Sequence, residues 1–247
     1  MLAIGVLLVV ISGGIDLSVG TSMSLSMVTM GKYVINGHGS LQVGMLIAVA
    51  TGIVVGLING TLIAFLQLPP FIVTLGMLGI AQGFALTFCN GFSMYGSPKE
   101  FGFVGGGQVL DIPVPTIILV VVALAASFIA RKTKLGRYAY TVGYSEEAAR
   151  SAGIPVRGFK VAIYVFCGCL VGMASTVLAS RINSAHPAVG LGYELDAIGA
   201  VVIGGASLVG GGGNVGGAII GALMMAAIRF GLNVMAVTSN RSLLARF

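Results

Sequence analysis

Apolar residues in this chain lie in long runs that short polar stretches separate. Between Lys32 and Lys99 no Asp, Glu, Lys or Arg interrupts the sequence. A helix that crosses a bilayer needs about 20 mostly apolar residues, so the chain has room for several spans. The pattern predicts an all-α polytopic membrane protein, a helical bundle of about eight spans, some of them broken or interrupted by glycine. The expected spans are residues 1–11, 19–35, 41–66, 69–89, 115–130, 160–179, 195–209 and 215–237.

The composition agrees with a lipid environment. Charged residues make up 8% and apolar residues 57% of the chain, whereas soluble domains average roughly 25% and 45–50%. We expect one transmembrane domain over residues 1–247. The net charge of +6 does not predict nucleic-acid binding, because the basic residues flank the expected spans, where membrane anchoring explains them. The sequence has no zinc-type His and Glu spacing and no nucleophile elbow, so it predicts no catalytic site, metal site or cofactor.

The distribution of Lys and Arg sets the expected orientation. Residues 131–160 contain seven of the 13 basic residues, while the segments at about 90–112 and 181–193 carry one each. The positive-inside bias therefore places 131–160 in the cytoplasm. Counting spans backward from this loop puts the start of the first span on the outer side of the membrane. Because that is unusual for the start of a chain, we expect a further helix before Met1. The end after residue 240 is equally abrupt, so we expect the chain to be incomplete or divergent at both ends.

The charged loop 131–160 contains a predicted surface helix at residues 146–152. Ser145 is placed to cap it, and Glu146 and Glu147 lie in the first turn, where the helix dipole favours acids. Glu146 and Arg150 have the spacing of a surface ion pair, and Gly153 is expected to end the helix. This is either an ordinary solvated helix or a contact for a groove on a partner. The second interpretation relies on small residues expected to be exposed, namely Ala148, Ala149 and Ala152.

A polar interruption, Ser12-Gly-Gly-Ile-Asp-Leu-Ser-Val-Gly20, breaks the first apolar region. An unpaired Asp16 at membrane depth costs about 3 kcal/mol or more. Discontinuous helices of this kind often mark a translocation path, because unwound backbone is tolerated only where protein or water covers it. Alternatively, the segment is a turn at the membrane edge in which Asp16 caps the next helix. Uncharged polar residues inside the spans either line a path for a hydroxylated solute or form hydrogen bonds between helices: Asn59, Thr74, Gln82 and Asn233.

Glycine is abundant, and two groups of glycines have helical spacing. Gly52, Gly56 and Gly60 should lie on one helix face, as should Gly213, Gly217 and Gly221, and such faces favour close helix packing in membranes. The glycine-rich segment 204–217 resembles a phosphate-binding loop only superficially, since no lysine follows the glycines and no strand precedes them. We therefore expect a tight connection or a helix break there.

Four stretches, whose order and spacing cover nearly the whole chain, carry a family resemblance. They are Ser12-Gly-Gly-Ile-Asp-Leu-Ser-Val-Gly20, Asn59-Gly through Pro69-Pro-Phe-Ile-Val-Thr-Leu-Gly76, Gly136-Arg-Tyr through Glu147-Ala-Ala-Arg-Ser-Ala-Gly-Ile154, and Ala200-Val-Val-Ile-Gly-Gly-Ala-Ser-Leu through Gly231-Leu-Asn233. In these stretches the chain resembles the permease subunits of bacterial ATP-binding-cassette importers for monosaccharides of the ribose, xylose, arabinose and galactose type.

The resemblance implies a multi-pass protein of the bacterial inner membrane. It implies a dimer with a second permease copy, two cytoplasmic ATPase domains and a periplasmic sugar-binding protein as partners. The surface helix would be the coupling helix that enters a cleft of the ATPase, and ATP binding would move it. Compared with the family, the chain would lack the first and the last helix. The residues expected to couple to the ATPase are Glu146, Glu147, Ala148, Ala149, Arg150 and Gly153.

Two other functions remain open from the sequence. One is a self-sufficient secondary carrier or channel, which would need a site for a coupling ion, and Asp16 is the plausible candidate. The other is a non-functional, truncated permease. Uptake into vesicles without ATP or partner would favour the carrier, and a longer reading frame upstream of Met1 would argue against a remnant.

Overall fold

The computed structural model describes residues 1–96 and 98–244, without the side chains of residue 99 and residues 236–244. Helices dominate it. In chain order they are α1 (Leu2–Ile11), α2 (Val19–Gly31), α3 (Leu41–Phe65), α4 (Pro70–Phe88), α5 (Gly102–Gly106), α6 (Val114–Lys132), α7 (Lys134–Tyr144), α8 (Glu146–Ser151), α9 (Val156–Ile182), α10 (Tyr193–Ile203) and α11 (Val215–Leu244). A π-helical turn (Lys32–Asn36) extends α2, and a 3-10 turn (Lys99–Phe101) precedes α5.

Within the described residues, five helices are long and apolar enough to cross a membrane: α3, α4, α6, α9 and the part of α11 up to Met235. Many of their large apolar side chains face outward, among them Leu46, Leu124 and Leu223, each 65–67% exposed. Such a surface suits lipid, so the expected all-α, polytopic membrane fold is confirmed. The other three expected spans correspond to shorter helices, α1, α2 and α10, of 10, 13 and 11 residues.

The centre of the bundle is α1, whose residues from Ala3 to Ile11 are all buried. Its sequence, LAIGVLLVVI, is apolar on every face, and a helix of that kind is stable only where protein or lipid surrounds it completely. The helices α7, α9, α10 and α11 all contact it. At 1.5 Å per residue, the 10 residues of α1 extend about 15 Å, roughly half of the hydrocarbon thickness.

Glycines bring α3 and α9 into direct backbone contact. A Cβ on Gly52 would overlap the carbonyl oxygen of Gly168, and a Cβ on Gly168 would overlap that of Gly52. Gly56 and Gly60 meet α9 in the same way, at Tyr164 and Val161. The predicted packing face of α3 is therefore confirmed, and van der Waals contact between close backbones joins the two helices.

The second expected glycine face is correct for two of its three residues. Gly217 lies against the carbonyl of Gly204, and Gly221 lies against that of Ala200 at α10. Gly213, in contrast, precedes the first residue of α11, so its position on a helix face was predicted wrongly. The glycine-rich segment is an irregular connection between Ile203 and Val215, as expected.

The far end of α9 lies in a region of short elements. There β1 (Met94–Tyr95) pairs antiparallel with β4 (Ser184–Ala185), with Met94 opposite Ala185. A separate hairpin joins β2 (Gln108–Val109) and β3 (Ile112–Pro113). The amide of Gly105 in α5 donates to Ser180 Oγ of α9 at 2.7 Å. The near end of α9 lies beside α7 and α8, which contact its first turns.

The charged segment between α6 and α9 holds more helix than the sequence predicted. The expected short helix is present as α8, but an additional 11-residue helix, α7, precedes it. Thr133 separates α6 from α7, and Gly136 allows α7 to fold back against Ala130. At the other end of the chain, residues 240–244 continue α11, while residues 245–247 lie outside the described residues.

Candidate functional site

A non-helical segment at residues 12–18, the break, connects α1 with α2. The amides of Gly13 and Gly14 donate to carbonyls in the last turn of α1 and so end that helix. Asp16 is 4% exposed, and its Oδ1 accepts from the amide of Ser18 at 2.9 Å and from Ser18 Oγ at 2.7 Å. No ion pair to Asp16 occurs among the described side chains. The segment thus combines a hydrogen-bonded turn just before α2 with burial of its polar residues Ser12, Asp16 and Ser18, while Gly13 is exposed.

Two further expected pathway residues reach the break. Asn59 of α3 donates from Nδ2 to Ser18 Oγ at 2.9 Å, and Thr74 of α4 lies 3.3 Å from the Ile15 carbonyl oxygen through Oγ1. Both side chains are fully buried. The Oδ1 atom of Asn59 is also buried and has no hydrogen-bond partner. The break and the two helices α3 and α4 therefore bring polar groups together, and one buried acceptor, Asn59 Oδ1, has no partner among the described residues.

Gln82 lies apart from this cluster. It follows Thr74 by two turns of α4, and its Nε2 donates to the carbonyl of Pro187 at 3.3 Å, in the segment between β4 and α10. Its Oε1 is buried without a partner. The structure consequently brings together three of the four expected pathway residues and places the fourth closer to the far end of α9.

The surface helix α8 begins as predicted. Ser145 Oγ accepts from the amide of Ala148 at 3.1 Å, which is an N-cap bond. Arg150 and Glu146 form the expected ion pair at 2.6 Å. The chain leaves the helix at Ala152 and Gly153, and Gly153 has φ +78°, a conformation that glycine adopts without strain. Glu147 and Ala148 are exposed.

One expectation for α8 is wrong, because Ala149 is completely buried. It lies on the inner face of the helix, where it belongs to the apolar core around α1 and α9. A two-turn helix that rests on a bundle must turn one side inward, and Ala149 occupies that side. Ala148 and Ala152 remain exposed, so the small-residue surface open to a partner is narrower than the sequence suggested.

Lys160 ties α8 to α9, a contact that sequence reasoning missed. Its Nζ lies 2.6 Å from Glu146 Oε2, while Arg150 binds the other oxygen. Partial burial alone would raise the pKa of Glu146, but the hydrogen bonds and charges of Lys160 and Arg150 outweigh it and hold that pKa below its usual value. The carboxylate is therefore charged at neutral pH. The sequence did offer one indication of this contact. Lys160 begins an expected span 14 residues after Glu146, and no acidic partner had been assigned to it.

The glycine loop, residues 204–214, contacts the end of α1, just before the break. The Gly211 amide donates to the carbonyl of Ile11 at 2.8 Å, and Tyr140 OH of α7 donates to the carbonyl of Gly213 at 2.8 Å. Gly143 lies so close to this pair that a Cβ there would overlap the Ile11 oxygen and approach the Gly211 nitrogen. We call the contact of Ile11, Gly143 and Gly211 the junction. It joins α1, α7 and the glycine loop through backbone atoms.

A cavity of about 300 Å³ lies between the break, the end of α7 and the start of α9. That volume is at the lower end of the range for small-molecule pockets. Hydroxyl and charged groups border it, so it can hold a hydroxylated solute or water. No cluster of metal-ligating residues occurs among the described residues. Its lining includes Ser12, Gly13, Gly143, Glu146, Lys160 and Tyr164.

A multi-pass helical bundle with a buried polar break, joined to a capped surface helix, has the architecture of a membrane transport permease. Residues 1–246 match the family described as "Branched-chain amino acid transport system / permease component". The chain therefore belongs to this permease family, whose members are transport subunits.

Individual relatives are sugar permeases by name. The chain is 38% identical to the ribose import permease protein of Escherichia coli K12, over 97% of this chain and 75% of that protein. It is 38% identical to the ribose import permease protein of Bacillus subtilis 168, over 97% and 74%, and 34% identical to the D-allose transport system permease protein of Escherichia coli K12, over 96% and 73%. No solved structure matches the chain.

Proposed function

We propose that this chain is the transmembrane permease subunit of an ATP-binding-cassette importer that moves a monosaccharide across the bacterial inner membrane. The observation that carries the proposal is the similarity, over nearly the whole chain, to permeases named for ribose and D-allose. The buried break supports it, because it offers hydroxyl, amide and carboxyl groups but, among the described residues, no ion pair to Asp16. Such groups suit a neutral solute with many hydroxyl groups.

In this proposal residues 1–247 form one transmembrane domain, and the loop 131–160 lies in the cytoplasm. Its basic residues support that orientation. The energy comes from a separate ATPase that receives α8 in a cleft. Glu147, Ala148 and Arg150 are exposed toward such a partner. Glu146 and Ala149 hold α8 on the bundle, the first through Lys160 and the second through the apolar core, and Gly153 sets its exit.

Movement of α8 reaches the break along a short route. The ion pair of Glu146 with Lys160 moves the start of α9 with α8. Tyr164, one turn further along α9, lies 3.3 Å from the Ile15 carbonyl through its hydroxyl oxygen. On the other side, Ser145 follows α7, whose Gly143 abuts Ile11. A tilt of α8 therefore displaces the start and the middle of the break.

The proposed path passes the groups at the break, with Asp16, Asn59 and Thr74 as hydrogen-bonding residues and Gln82 nearer the outer end. A second permease copy, identical or related, completes the path, and a periplasmic sugar-binding protein delivers the solute. ATP-driven closure of the ATPase opens the path alternately to each side. Sugar identity depends mainly on the binding protein in this arrangement.

The test uses the permease reconstituted in liposomes with its ATPase and binding protein. Glu147→Lys reverses an exposed charge on α8, and Gly153→Val strains a left-handed position. We expect each to abolish binding-protein-stimulated ATP hydrolysis and sugar uptake together. Glu100→Lys, a charge reversal at an exposed residue outside the loop 131–160, is the matched control and should leave both rates unchanged.

Two results would contradict the proposal. One is unchanged stimulation and uptake in both α8 variants. The other is sugar uptake by the permease alone, without ATP or partner, which would instead indicate a secondary carrier or channel that uses Asp16.

A further inference from the structure

The end of the bundle near α8 carries two large apolar side chains that are almost fully exposed. Tyr144, the last residue of α7, is 89% exposed, and Val209 in the glycine loop is 87% exposed. Neither lies within one of the five long apolar helices. Exposed apolar side chains outside the spans are candidates for a contact with another molecule.

The glycine loop holds Val209 at the tip of a tight turn. The Ser207 amide donates to the Gly212 carbonyl, and the Gly210 amide donates to the Ser207 carbonyl, both at 3.1 Å. The turn thus closes on itself with Leu208 and Val209 at its tip. The hydrogen bond from Gly211 to Ile11 anchors its base, so the turn is a fixed projection and not a loose loop.

This projection lies beside α8. Gly210 packs against the backbone of Gly143, and a Cβ on Gly211 would lie 3.4 Å from the backbone of Tyr144. Val209 also borders the cavity that Glu146 and Lys160 line. Tyr144 and Val209 therefore lie together next to the first turn of α8.

Polar groups surround the two apolar side chains. The exposed residues of α8 are mostly charged or small, and Ser207 at the base of the turn is exposed as well. An apolar centre with a polar rim is the usual composition of a protein–protein contact. Exposed apolar side chains of Ile203 and Leu208 lead toward Val209 along the chain. Val209 nevertheless lies six residues beyond the end of α10 and borders the same cavity as the ion pair of Glu146 with Lys160, which favours a protein contact over a lipid contact.

We propose that Tyr144 and Val209 form one continuous docking surface with α8 and bind the nucleotide-hydrolysing subunit. This inference rests on the proposed function, and it adds a second contact point on a distant part of the chain. The partner must then offer an apolar recess beside the cleft that receives α8. Contact through both α8 and the surface of Tyr144 and Val209 would fix the rotation of α8 on its partner. The contact at Val209 would also transmit force to the junction, because Gly211 lies two residues further along the chain.

The test measures the dissociation constant between the ATPase and the permease in nanodiscs. Val209→Asp places a charge in the apolar centre of the contact, and we expect binding at least about tenfold weaker. Tyr144→Ala should weaken binding in the same direction. Leu110→Asp is the matched control, because Leu110 is 90% exposed at the tip of the β2–β3 hairpin, away from the proposed surface.

Glu147→Lys separates this inference from the proposed function. If Glu147→Lys weakens binding while Val209→Asp and Tyr144→Ala do not, the docking surface ends at α8 and the inference is wrong. If none of the three variants weakens binding, α8 is not the docking site and the proposed coupling itself is wrong. Because all three side chains are exposed, thermal unfolding of each variant should match that of the original chain, and a lowered transition would overturn the claim of a free surface.

A second measurement tests whether the surface contacts lipid. The chain contains no tryptophan, so Val209→Trp introduces a single tryptophan, whose emission is separated from that of tyrosine by excitation at long wavelength. In vesicles with brominated acyl chains we expect its fluorescence to be unquenched, whereas Leu124→Trp on the outward face of α6, 67% exposed, should be quenched strongly. Quenching of Val209→Trp equal to that of Leu124→Trp would assign the surface to lipid and overturn the proposal.

Discussion

The break at residues 12–18 and the glycine loop at residues 204–214 follow two short helices, α1 and α10, and meet where Gly211 donates to Ile11. The polar side chains of the break are buried and hold it in place, with Asp16, Ser18 and Asn59 in one chain of hydrogen bonds. The glycine loop is exposed or half-buried at every residue except Ala206 and is held mainly by backbone hydrogen bonds.

The difference shows two ways to keep irregular backbone in a membrane protein. A backbone group in lipid must find a partner, because no water is available to it. In the break, polar side chains and neighbouring helices provide those partners. In the glycine loop, tight turns provide hydrogen-bond partners for some backbone groups, and water can bind the backbone groups that remain exposed. The junction is where the two regions depend on each other, since the glycine loop supplies the donor Gly211 and the last residue of α1, next to the break, supplies the acceptor Ile11.

The largest effect should come from the junction itself. Gly143→Val would push a side chain into the Ile11 carbonyl and the Gly211 amide, and relief requires α7 to move away from both interruptions. We expect a loss of roughly 2–3 kcal/mol in the free energy of unfolding, measured by thermal unfolding in detergent. Gly158→Ala is the control, because a Cβ there meets nothing within 4 Å. Equal stability of the two variants would show that the interruptions are independent.

A smaller change in the free energy of unfolding should distinguish the break from the glycine loop, because their hydrogen-bonding side chains differ in burial. Asp16 and Asn214 each accept a hydrogen bond from a backbone amide near the start of the following helix. Asp16 accepts from the amide of Ser18, and Asn214 accepts from the amide of Gly217 at 2.7 Å. Asp16→Ala leaves a buried donor unpaired and should cost about 2 kcal/mol. Asn214→Ala removes an exposed cap and should cost about 1 kcal/mol. The reverse order of the two unfolding free energies would contradict the comparison.

The smallest effect should arise at the link between α8 and α9. Glu146→Gln removes both ion pairs of a partly exposed carboxylate, and such pairs contribute about 0.5 kcal/mol. Because the pKa of Glu146 is lowered, its stabilising contribution is present at neutral pH and is lost only as pH falls through that lowered value, below the usual glutamate range near about 4.3. Unfolding at pH 6 and pH 8 should therefore show the same small difference, and high salt should reduce it.

Local features of the sequence predicted much of this arrangement. The long apolar runs located the five long helices, Ser145 and Gly153 located both ends of α8, and the spacing of Gly52, Gly56 and Gly60 located the contact of α3 with α9. These features depend on neighbours a few residues apart. Lipid-facing helices also keep their apolar character along their whole length, which makes them easy to recognise.

Contacts between distant segments were beyond such reasoning. The sequence places Tyr140 and Gly213 73 positions apart, and nothing in either neighbourhood indicates that they meet. The helix α7 was missed because its glycines and aromatic residues lower helix propensity, and packing against the bundle compensates for that. Ala149 was placed outside because an alanine fits an exposed or a buried position equally well.

The hydrogen bond between Gly211 and Ile11 also affects biogenesis. The acceptor leaves the ribosome about 200 residues before its donor, which at 5–20 residues per second is an interval of roughly 10–40 s. Throughout that time the Ile11 carbonyl at the end of α1 lacks its partner Gly211, and α1 lacks its contacts with α10 and α11. The buried end of α1 therefore reaches its final packing only after the glycine loop has been synthesised.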